Sequence, residues 1–152
     1  MAVTPQIIGS QLYVVNRDVD PGTASAALAA PDGVTTPWYL DMSLFNRGMV
    51  KVRPTVGDGF TLVRVFASSD IAGATNATLV RSSGAVVADA LADEVAIEFS
   101  AKEIGALDTS NVGLRYVTVE ITHATSTNES NLTFIGSEPR FPRADLTATV
   151  IT

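Results

Sequence analysis

"GLRYVTVEITHAT", residues 113–125, sets the class of fold. Leu114, Tyr116, Thr118, Glu120 and Thr122 alternate with Arg115, Val117, Val119, Ile121 and His123. A period of two puts the two sets on opposite faces of a strand, and β-branched residues recur in both, so the stretch reads as sheet. "FTLVRVFAS" (60–68) repeats the pattern, with Phe60, Leu62, Arg64 and Phe66 on one face and Thr61, Val63, Val65 and Ala67 on the other. A charge among apolar side chains predicts that the first of these faces lies near an edge or an interface. "MVKVRPTV" (49–56) sets Val50 and Val52 against Lys51 and Arg53. "WYLDMSLF" (38–45) sets Trp38, Leu40, Met42 and Leu44 against Tyr39, Asp41, Ser43 and Phe45, and Asn46-Arg47-Gly48 between the two reads as a hairpin loop.

Further strands are expected at 11–19, 77–82, 94–100 and 130–137, with turns at Asp20–Gly22, Gly57–Gly59 and Thr127–Glu129. Residues 23–37 are small and low in complexity. Pro31-Asp32-Gly33 breaks the alanine run there, leaving a loop with room for one helical turn. Ser100-Ala-Lys-Glu103 is a capping box, which opens a short helix over "AKEIGAL" that Asp108 ends. Together these predict an all-β chain: a β-sandwich or barrel-like roll of about eight strands with one short helix, forming a single domain over 1–152.

Hydrophobic residues make up 46% of the 152, a globular composition. Cysteine is absent, which excludes disulfides, thiolate metal sites and cysteine nucleophiles. "MAVTPQIIGS" has no basic n-region or long apolar run, so a product kept in a reducing cytoplasm, with no membrane span, is expected. A net charge of −6 opposes nucleic-acid binding. The charge is uneven. Arg47, Lys51, Arg53 and Arg64 fall in one stretch opposed only by Asp58. Asp89, Asp93, Glu94, Glu98, Glu103 and Asp108 fall in another, opposed only by Lys102. Such runs read first as solvated strand edges and loops; the sharper reading is a basic face that meets an acidic face on a symmetry mate.

The catalytic inventory is thin. His123 is the only histidine, expected at a surface or edge, and the carboxylates are too scattered for a metal centre. Asp20-Pro-Gly, Pro-Asp32-Gly and Gly-Asp58-Gly are turn pairs without the alternating oxygen ligands of a calcium loop. No catalytic, metal or cofactor-binding residue is assigned. Trp38 beside Tyr39 could stack on a sugar, although Trp38 anchoring the core and Tyr39 lying at its rim is the better reading.

The chain closes on "EPRFPRADLTATVIT", residues 138–152. Pro139 and Pro142 keep the segment out of a helix interior or a central ladder. Residues 145–151 are expected to form a strand. Residues 138–143 are expected to make a contact that includes another chain, with Phe141 as an aromatic anchor between Arg140 and Arg143. The expected interface is therefore Arg47, Lys51, Arg53, Phe60, Arg64, Arg140, Phe141 and Arg143.

"VKVRPTVGDGFTLVRVFASSDIAGA", "GLRYVTVEITHATSTNES" and "SEPRFPRADLTAT", in an acidic, cysteine-free chain rich in Ala, Thr and Val, resemble small virion structural proteins of tailed bacteriophages, head decoration (cement) proteins in particular. The resemblance implies a non-enzymatic protein without cofactors, made in the host cytoplasm and carried on the virion surface. Its partners would be the major capsid protein and copies of itself, often as a trimer, locking adjacent capsomers together. The alternatives are a tail-tube, head-completion or fibre-associated subunit and, from another class, an Ig-like or carbohydrate-binding adhesion module.

Overall fold

The computed structural model describes residues 13–19, 27–30, 36–56, 59–85, 94–125 and 129–140. Among these lie nine strands and one helix: β1 (Tyr13–Val19), β2 (Ala27–Leu28), β3 (Leu40–Asp41), β4 (Phe45–Val56), β5 (Phe60–Ser68), β6 (Thr78–Ser82), β7 (Val95–Ser100), α1 (Ala101–Leu107), β8 (Tyr116–His123) and β9 (Glu129–Pro139). They form two antiparallel sheets. The first has the order β1-β9-β4-β7. The second has β2-β8-β5-β6, with β3 also paired to β8. The all-β expectation holds, and of its two forms the sandwich is realised.

Alternation explains the core. Val50, Val52, Ile97, Phe99, Leu132 and Phe134 line the inner face of the first sheet; Val63, Val65, Ala67, Val117, Val119 and Ile121 line that of the second. They merge into one buried cluster, against which Trp38, Leu44, Val80 and Val95 pack with one side still open. Each valine or larger side chain buried in this way contributes about 1.5–3 kcal/mol.

Several local expectations change. Residues 38–48 do not make a strand and a hairpin loop. The chain turns earlier, at Met42–Leu44, where Asp41 Oδ1 accepts from the Ser43 N–H at 2.9 Å and the Leu44 N–H donates to the Asp41 carbonyl. Asn46-Arg47-Gly48 then lies inside the 12-residue β4. Gly48 is needed there for closeness of approach. It stands opposite Phe99 on one side and Gly136 on the other, and a Cβ at 48 would lie 2.3 Å from Phe99 Cε2. Gly136 is covered likewise by Phe45, whose ring would meet a Cβ at 2.8 Å. Two aromatic rings thus fill the space left by a cross-strand glycine pair.

Phe60 does not share a face with Leu62 and Phe66. A bulge between Phe60 and Leu62 shifts the register against β8, so Phe60 turns inward opposite His123. His123 is itself only 2% exposed, not at a surface or edge, and its Nε2 lies 2.9 Å from the buried Ser130 Oγ. Ala27 and Leu28 form a short strand rather than a helical turn, because β8 offers them an edge to pair with. β9 runs on to Pro139, which is possible at a strand's last residue, where no further ladder amide is required. The expected strand at 145–151 and the second half, 141–143, of the expected contact lie outside the described residues.

The capping box forms as read. Ser100 Oγ accepts from the Glu103 N–H, and Glu103 Oε2 accepts from the Ser100 N–H. Asp108 at the helix end clasps the following loop, accepting from the amides of Val112, Gly113 and Leu114. These bonds, that from Val112 foremost, hold the Asp108 carboxyl below its ordinary value of 3.8. Hydrogen bonding from Thr75 lowers Asp70, and bonding from the Ser100 side chain lowers Glu103. A carboxylate whose folded pKa is depressed adds stability above its unfolded pKa and loses it as pH falls through the folded one. The melting temperature is therefore expected to decline once pH drops below the ordinary carboxylate range. Asp108→Asn should lower it at neutral pH and flatten the acid slope, and equal acid slopes in calorimetric scans of the two proteins would contradict this.

Candidate interaction surfaces

The cations expected to face a neighbour are for the most part engaged within the chain. Arg47 Nε lies 3.0 Å from Glu138, and Lys51 Nζ lies 2.8 Å from Glu94. Arg64 pairs with Glu120, directly opposite it on β8, and its guanidinium stands 5.6 Å from the Phe66 ring centroid. The Lys51–Glu94 pair joins the basic and acidic stretches within one molecule, from β4 to the residue before β7, whereas the expected meeting was with a symmetry mate. Arg53 is exposed, with no ion-pair partner among the described residues. Arg140 is also exposed and donates its backbone N–H to the Leu44 carbonyl. Phe60 belongs to the core, and Phe141 and Arg143 lie outside the described residues. The described members of the expected interface are thus not gathered into one patch. Exposed ion pairs of this kind contribute about 0–1 kcal/mol each.

On the outer face of the first sheet, beside α1, lies an open groove of about 480 Å³. Met49 and Ile135 contribute apolar surface to it, and the Arg47–Glu138 and Arg81–Glu103 pairs contribute charge. Its acids and bases are largely spent on one another. Among the described residues no group of three or more His, Asp or Glu could hold a metal ion. No helix among them is long and apolar enough to cross a membrane.

The outer face of the second sheet differs. Leu62, Arg64 and Phe66 of β5 stand there beside Thr118 and Glu120 of β8, with Leu79 of β6 opposite Phe66. The loop over 69–77 covers part of this face. Ser68 Oγ and Ser69 N–H both bond the Thr75 carbonyl, and Asp70 Oδ2 accepts from the Thr75 N–H, so the loop folds back. Gly73 then seats on Thr118 and Leu28, where a Cβ would meet both at 3.0–3.1 Å. Ile71 on this loop and Leu79 on the edge strand remain 43% and 46% exposed, and Leu62 and Phe66 are half-buried. The alternation of "FTLVRVFAS" pointed to this face. Ile71 stands in no periodic run, and the strand expected at 77–82 does not tell which face Leu79 takes.

Trp38 and Tyr39 part company. Trp38 packs on the core, while Tyr39 is 39% exposed and meets Tyr116 edge-on, with ring centroids 5.4 Å apart. Sequence reading placed Tyr116 on a strand face but could not foresee this pairing, because it depends on the register of β3 against β8.

No family model matches the chain, and no curated protein matches it. Among solved structures, it is similar to a Bacillus endospore appendage from a family of disulfide-linked pili. Identity is 14%, 83% of this chain and 86% of that one are covered, and the TM-score is 0.40. It is also similar to the K3 cleaved adhesin domain of Lys-gingipain from Porphyromonas gingivalis (16% identity, 74% and 72% covered, TM-score 0.41). A third likeness, to a structure described as CBM4, has 12% identity, 80% and 94% coverage and a TM-score of 0.34. No residue role transfers from any of them.

Proposed function

We propose that the chain is a non-enzymatic structural subunit that works by attaching to other proteins in a large assembly, and specifically a virion protein of the decoration type, seated on the outer surface of a capsid. The outer face of the second sheet carries this reading. Leu79 lies open there opposite Phe66, Leu62 shares that face of β5, Ile71 is exposed on the loop that covers part of it, and the Arg64–Glu120 pair on it is already neutralised within the chain. Apolar side chains exposed together in this way are suited to burial against a protein neighbour. A charge pair compensated internally can be covered at less cost than a lone ion. His123, the one imidazole, is enclosed beside Phe60 and Ser130 and so is out of reach as a base for a dissolved substrate.

Attachment through this face should rest on apolar contact and vary little with ionic strength, because the nearby cations are engaged within the chain. Leu79→Glu would place a charge on this face opposite Phe66. It is expected to weaken cosedimentation with shells of the major capsid protein at least about tenfold, with thermal unfolding of the free protein near that of wild type. Undiminished cosedimentation of the variant would remove this face from the account.

A further inference from the structure

We propose that the corner formed by Tyr39, Asp41, Arg115 and Tyr116 is a binding site for a neutral saccharide, with the Tyr39 ring as its stacking surface. The corner is built by backbone pairing. Asp41 stands opposite Tyr116 in the β3–β8 ladder. The Met42 N–H donates to the Arg115 carbonyl at 2.9 Å, and the Arg115 N–H donates to the Ser68 carbonyl at 3.0 Å. These side chains therefore project from fixed strand ends, and little ordering remains to be done when a ligand arrives.

The division of labour follows from the contacts. The Arg115 guanidinium lies over the Tyr116 ring, 4.5 Å from its centroid, and donates to the Tyr116 hydroxyl. One face of Tyr116 is thus occupied by the chain itself. Tyr39 meets Tyr116 with an interplanar angle of 86° rather than stacked upon it, and it remains 39% exposed. A pyranose ring presents an apolar C–H face that fits an aromatic plane and a rim of hydroxyls that both donate and accept. Asp41 and Arg115, adjacent to that plane, supply an acceptor and a fork of donors. Their charges cancel. A phosphate would meet Asp41 and a cation would meet Arg115, so a neutral polyol is the ligand class with no charge to oppose it.

A single exposed ring supports weak binding, with a dissociation constant on the order of 1 mM. Display in many copies on a particle would raise the effective affinity without any new contact. The site itself does not depend on the assembly reading and can be tested on the isolated chain. Saturation-transfer NMR and titration would use methyl α-glucoside, methyl α-mannoside and methyl α-galactoside, with sodium phosphate and choline as charged controls. Saturation transfer to at least one pyranoside is expected. It should weaken at least about tenfold in Tyr39→Ala and persist in Tyr39→Trp, with melting temperatures near wild type. Absence of transfer to all three pyranosides, transfer undiminished in Tyr39→Ala, or tighter binding of phosphate or choline would each overturn the proposal. Loss of capsid attachment with saccharide binding intact would count against the other surface alone.

Discussion

Replacing His123 with alanine is expected to destabilise the fold by about 2–4 kcal/mol, although this is the residue that composition alone would have marked as dispensable. His123 is 2% exposed, stands opposite Phe60 across the β5 bulge, and holds Nε2 2.9 Å from Ser130 Oγ. Truncation removes a ring from packed surroundings and strips a wholly buried hydroxyl of that partner. The two costs add, because the ring and the hydroxyl are both buried beside Phe60. Urea unfolding should show a lower midpoint with an unchanged slope, and a double-mutant cycle with Ser130→Ala should recover part of the loss. A midpoint equal to wild type would mean that the imidazole is not packed as described.

Gly48→Ala is the second large effect. A Cβ at this position would stand 2.3 Å from Phe99 Cε2 and 2.7 Å from Cζ, far inside contact distance. Phe99 is buried in the core, so its ring has little space to retreat into without displacing its neighbours. Overpacking of this kind costs about 1–3 kcal/mol and occasionally more. The diagnostic is coupling rather than size. Phe99→Leu should be less damaging in the Gly48→Ala background than in the wild type, since the smaller side chain relieves the clash. Strictly additive losses in chemical denaturation would show that the ring and the glycine are independent.

Both residues show what sequence alone can carry. The alternation in 60–68 and 113–125 was enough to put Val63 with Val65, and Val117 with Val119 and Ile121, on shared strand faces, which the fold turns inward, and Ser100 with Glu103 was enough to place α1. These are local signals, each written within a few residues. Phe60 was assigned to the wrong face because one bulge reverses the parity of a strand, and a bulge is set by its partner's register. Gly48 read as a turn residue because glycine serves turns and close approaches equally well. Only the Phe99 ring across the ladder separates the two. Burial of His123 was hidden for the same reason, since its strand face follows from alternation but its enclosure depends on Phe60 arriving from β5.

The surfaces were legible in part. The basic and acidic stretches do meet, but Lys51 finds Glu94 within the molecule, because β4 and β7 are ladder neighbours that sequence separation conceals. Composition shows how many charges a chain carries, not which of them are already paired. Arg64 was rightly singled out as a charge on an apolar face, and its compensation by Glu120 makes that face suitable for burial.

Copy number in purified particles tests the central claim most directly. Under the proposed function, quantitative mass spectrometry of purified virions, with isotope-labelled peptides of this chain and of the major capsid protein, would give their ratio. A decoration subunit is predicted to be present at a fixed ratio approaching that of the capsid protein, and to be released from intact particles before the shell itself dissociates. Absence of the chain from purified particles, or a ratio of only a few copies per particle, would contradict the account.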